Sequence, residues 1–166
     1  MAFGALSAIF NVWQYSVAYS GAVANPKLNS TTFKAALFNN TTTPDNTVAA
    51  ATAAYNTGQW VVANEVTDAT NWVAGGRAIG TPSAPPGAYV AQNFVMLDAA
   101  DTAGGGNVTL SNVYGDLVYD TAVTTPVTNL AIGYHSYGGS AQGVTAGTFT
   151  IIWHANGIVR WTHTPA

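Results

Sequence analysis

From residue 25 onward the chain breaks into short β-prone runs separated by clusters of glycine, proline, threonine and asparagine. That rhythm leaves little room for long helices, and it constrains the fold more than any other feature. Candidate strands fall at residues 32–38, 59–66, 89–97, 108–110, 112–119, 127–134, 148–154 and 158–162. Many short strands with frequent turn signals point to a mainly β fold, an antiparallel β-sandwich or barrel-like domain. Residues 25–166 are expected to form that single domain, after an N-terminal helix or arm over residues 1–24. Gly75-Gly76 marks a bend or hairpin turn, and Gly104 to Gly106 close a loop. The polar, alanine-rich stretch 39–58 reads as a long connection, with 47–55 as a short helix or a free arm.

Asn156-Gly157 is the strongest local signal. Asn-Gly favours a type I′ turn, whose twist suits a tight hairpin. A two-residue turn there sets Trp153 opposite Arg160 and Ile152 opposite Trp161, with the two indoles on opposite faces. Both faces of such a hairpin are partly apolar, so each needs cover.

Residues 1–26 carry no charged side chain. A signal peptide would have a basic leading region. A membrane span would be more evenly apolar, whereas Ser7, Asn11, Gln14, Ser16 and Ser20 interrupt this stretch. Phe3, Leu6, Phe10, Trp13 and Val17 recur at spacings of three and four, so the expectation is an amphipathic helix over residues 3–17, packed on protein.

Function classes are narrowed mainly by charge. Only 11 of the 166 residues are Lys, Arg, Asp or Glu, 7% of the chain against about 25% in ordinary domains. The cations Lys27, Lys34, Arg77 and Arg160 are scattered, whereas nucleic-acid or anionic-membrane binding needs them clustered. With no cysteine there is no disulfide framework, zinc–thiolate site or thiol nucleophile. His135, His154 and His163 show no metal-ligand spacing. Gly139-Ser140-Ala141-Gln142-Gly143 departs from the nucleophile-elbow spacing, and no Gly-Lys-Ser or Gly-Lys-Thr follows the triple glycine. Asp98, Asp101, Asp116 and Asp120 read as turn-capping carboxylates beside loops. Tyr134, His135 and Tyr137 sit beside a glycine-rich loop and suit either a packed core or a contact surface. The expectation is therefore no catalytic residue, no metal, no cofactor and no small-molecule substrate.

Several segments stand out together: Phe33-Lys34-Ala35-Ala36-Leu37-Phe38, Asn64-Glu65-Val66, Gly75-Gly76, and Leu130-Ala131-Ile132-Gly133-Tyr134 followed by Gly138-Gly139. Gly147-Thr148-Phe149-Thr150-Ile151-Ile152-Trp153 and Asn156-Gly157-Ile158 complete the set. Taken together, these segments resemble a family of small tailed-bacteriophage virion proteins. The resemblance implies a structural role on the virion, as a capsid decoration (cement) protein or a tail-associated protein. A decoration protein would be assembled in the host cytoplasm onto the capsid surface. Its partners would be the major capsid protein and copies of itself, as a homo-oligomer such as a trimer. A carbohydrate-binding adsorption protein is the alternative of a different class. Because aromatic residues and arginine anchor protein interfaces, the candidate subunit-contact residues are Phe10, Trp13, Tyr137, Trp153, Arg160 and Trp161.

Overall fold

A computed structural model of the chain describes residue 3 and residues 7–18, 32–79, 93–97, 104–153 and 158–162. The fold is mainly β and every strand pairing among the described residues is antiparallel. In chain order the elements are β1 (Ala8–Ile9), α1 (Asn11–Ala18), β2 (Phe33–Phe38), β3 (Arg77–Ala78), β4 (Asn93–Leu97), β5 (Gly104–Val113), β6 (Gly115–Asp120), β7 (Ala131–Ser136), β8 (Gln142–Thr150) and β9 (Val159–Thr162). A five-stranded sheet runs β1-β7-β6-β2-β3, and two two-stranded ribbons pair β4 with β9 and β5 with β8.

The centre of the large sheet follows from sequence. In β2 every residue except Lys34 is buried, and in β6 every residue is buried. Burial on both faces is what the near-continuous apolar run of β2 encodes, whereas β6 is buried although it carries Asp116 and Asp120. The small Ala35 and Ala36 also let another segment approach closely. Gly76, at φ +65°, lies so near the Ala35 carbonyl that a Cβ would run into it. Only glycine fits there, which gives the Gly75-Gly76 bend its physical basis.

Trp60 is the hub of the core. Its ring lies 5.1 Å from Phe38, 5.6 Å from Tyr134, 6.0 Å from Phe3 and 6.1 Å from Phe10. The N-terminal segment thus supplies two of the rings that seal this cluster. It does so with less helix than the spacing predicts: α1 covers residues 11–18, and Ala8–Ile9 are extended along β7. The open edge of β7 takes these two residues as a strand, and Phe10 N–H donates to the Ile132 carbonyl at 3.0 Å. No helix among the described residues is long and apolar enough to cross a membrane.

Three other sequence expectations are corrected. Residues 59–66 are not a strand but a 3-10 turn, Val62–Asn64, with a single bridge from Glu65 to Phe38. Gly104 to Gly106 are not in a loop but begin β5. The closing strands do not pair with each other: β8 ends at Thr150 and pairs with β5, while β9 pairs with β4. Arg160 therefore stands opposite Val95, and Trp161 opposite Phe94, instead of Trp153 and Ile152. The Asn156-Gly157 turn lies outside the described residues. A local turn signal sets where the chain reverses, and the longer-range partners β4 and β5 decide which strands pair.

Candidate functional site

The register of β6 against β7 sets Asp116 directly opposite His135. His135 Nδ1–H donates to Asp116 Oδ1 at 2.8 Å, and the Tyr137 hydroxyl donates to Asp116 Oδ2 at 2.8 Å. Asp116 is wholly buried, so both carboxylate oxygens find their partners inside the protein. On its other side, His135 Nε2 lies 3.4 Å from the Ile158 carbonyl, and the ring packs 5.1 Å from Trp153. Burial works against an imidazolium here. The Asp116 charge and hydrogen bond, with the Ile158 carbonyl, outweigh it and raise the His135 pKa above its ordinary value. Burial, and then Asp116, also push the Tyr137 phenol well up.

Asp116 is thus no turn cap: it lies within a central strand. Asp120, at the end of β6, does serve its turn, accepting from Ala122 N–H at 2.9 Å and from the Thr32 hydroxyl at 2.6 Å. Continuing the β1–β7 register sets Ser7 opposite His135, which makes a Ser–His–Asp row across three strands. The row lacks a nucleophile's geometry, because Ser7 Oγ accepts from Ser136 N–H at 3.0 Å and makes no hydrogen bond to His135. Ser7 and His135 border a cavity of about 210 Å³.

A second polar cluster holds the Gly75-Gly76 bend. Glu65 accepts from the Tyr55 hydroxyl at 2.7 Å and from Gly75 N–H at 2.9 Å. The Tyr119 hydroxyl donates to the Gly75 carbonyl at 2.6 Å, and the Tyr55 and Tyr119 rings stack at 4.7 Å. Burial raises the Glu65 pKa against the opposing hydrogen bonds and Lys34, and burial also pushes the Tyr55 and Tyr119 phenols up. These groups bond to one another and to backbone, which is the pattern of a structural tie. Among the described residues no three His, Asp or Glu side chains gather as metal ligands do.

Four of the six candidate contact residues meet in the protein's own core: Phe10, Trp13 and Trp153 belong to it and Tyr137 packs against it. Phe10, Trp13 and Trp153 are buried within the chain itself. Tyr137 is half-buried, with its hydroxyl committed to Asp116. Arg160 and Trp161 lie on β9, and their side chains fall outside the described residues.

A different surface carries a groove. Its volume is about 510 Å³, and it runs between the turn after β2 (residues 39–41), the segment 65–67, and the end of β5 with Tyr114. Its walls are tied to the sheet: Asn39 N–H donates to the Asn64 carbonyl, Val66 N–H to Leu37 and Tyr114 N–H to Phe38. Sequence reasoning missed this groove, because its walls come from three separate stretches with no common motif. Comparisons with protein-family models, with curated proteins and with solved structures find no match for this chain.

Proposed function

We propose that this chain is a structural protein of a tailed-bacteriophage virion, most specifically a capsid decoration protein that bridges major capsid subunits. Its role on this reading is mechanical, not catalytic. One observation carries the proposal: among the described residues the exterior is almost free of charge. Of the seven charged residues whose side chains are described, Asp116 and Asp120 are buried and Lys34, Glu65, Asp68 and Arg77 are partly buried. Asp45 alone is exposed, and its carboxylate is engaged by the Thr47 hydroxyl at 2.6 Å. A free monomer relies on surface charge to stay dispersed. An exterior without charge instead loses little when another subunit covers it, because no ion has to be desolvated. The β5–β8 ribbon fits the same role, since neither strand carries a charged residue and six of the nine β8 residues are exposed.

The test is antibody labelling of gradient-purified particles viewed by electron microscopy. Regular label over the heads is the expected result. Label confined to tails would move the protein to the tail, and unlabelled particles would overturn the virion reading.

A further inference from the structure

We propose that the groove between residues 39–41, residues 65–67 and the end of β5 binds a neutral saccharide. The proposal stands whether or not the chain belongs to a virion. The hydroxyls of Thr41, Thr67, Ser111 and Tyr114 and the side-chain amide of Asn112 border the groove and make no hydrogen bond among the described residues. That leaves a set of donors and acceptors, each able to do both or paired as an amide, facing one space. Hydroxyl-rich ligands present the same mixture. Among the described residues no free charge enters the groove, because the Glu65 carboxylate is turned to Tyr55 and Gly75. A phosphate or an acidic sugar would therefore meet no cation among them. A saccharide also has apolar ring faces, and Tyr114 offers an aromatic body with a polar tip. The volume lies within the range of small-ligand clefts.

The backbone supplies an independent observation. Asn112 sits at φ +59°, in the left-handed region, where the β5–β8 register shifts between Leu110 and Val113. Bulges of this kind re-aim side chains and recur beside binding sites. Here the bulge leaves both Ser111 and Asn112 exposed in succession on the strand, next to the groove. In a regular strand they would point to opposite faces.

The test is a nuclear magnetic resonance titration of the full chain with chitotriose, maltotriose, cellotriose and mannotriose, and with sialyllactose as an acidic control. Each sugar is taken to about 10 mM, enough to reveal a Kd near 1 mM. The expected result is saturable shifts of Thr67, Ser111, Asn112 and Tyr114 amides with at least one neutral sugar. Asn112→Gly keeps the backbone conformation and removes the amide, so it should weaken that binding by about tenfold or more while the rest of the spectrum is unchanged. Should Asn112→Gly disturb the fold, the pair Thr67→Ala and Ser111→Ala provides the same comparison. Silence with all four neutral sugars, shifts only with sialyllactose, or shifts away from the groove would each overturn the proposal.

Discussion

At the scale of single residues, the energetics centre on two places. His135 is the titrating group of the Asp116 network, and its pKa is raised in the folded protein. The stabilisation it provides is therefore fully present below the ordinary imidazole value of about 6.5 and is lost as pH rises through the higher folded value. Chemical denaturation from about pH 5 to about pH 9 should show stability falling through that window, and Asp116→Asn should flatten the fall. A slope unchanged by Asp116→Asn would place the titration elsewhere. The second place is Trp60, fully buried with an indole N–H that has no acceptor among the described residues. Trp60→Ala should cost about 3–5 kcal/mol, whereas Trp60→Phe should cost well under half of that, because it also removes an unsatisfied donor. Equal losses in thermal melts would contradict this account of the core. The aromatic richness of the core was legible from composition. The Asp116–His135 pair was not, since it depends on which strands pair, and residues 19 apart carry no sign of that in sequence.

At the scale of elements, each strand run was easier to read than its partner. The central strand β2 shows its double-sided burial in Phe33-Lys34-Ala35-Ala36-Leu37-Phe38 itself. The closing hairpin failed as an expectation because Asn156-Gly157 speaks only for a turn, whereas β8 finds its partner in β5, whose bulged register no local motif announces. The far side of β5 is held by a loop: Asp68 accepts from Thr70, Asn71 and Thr109 N–H groups, each at 3.0 Å, and Asn71 Nδ2 donates to the Asn107 carbonyl at 3.3 Å. Asp68→Ala should release that loop, speeding hydrogen exchange at the Thr109 and Asn71 amides. Unaltered exchange there would show that the loop is held by other contacts. The opposite strand, β8, presents Thr145 and Thr148 to solvent. Thr148→Lys should leave the melting temperature of the isolated chain nearly unchanged, within about 0.5 kcal/mol, yet weaken any association that uses this edge.

At the scale of the whole molecule, the fold withdraws most of the charge carried by the described residues from the surface. Two carboxylates go into the central strand β6, and a third ties down the Gly75-Gly76 bend. The scarcity of charge was plain in the sequence, but its placement was not, because burial of Asp116 and Asp120 depends on the sheet order β7-β6-β2. We propose that the charge-poor exterior of the described residues works by covering, and being covered by, other protein. Contact of that kind has little Coulombic content, so salt should hardly affect it. The most direct measurement is co-sedimentation of the purified chain with phage heads that lack it, across salt concentrations from about 0.05 to about 1 M. The account predicts saturable binding whose affinity changes by less than about threefold over that range. Absence of binding, or a loss of tenfold or more as salt rises, would contradict it.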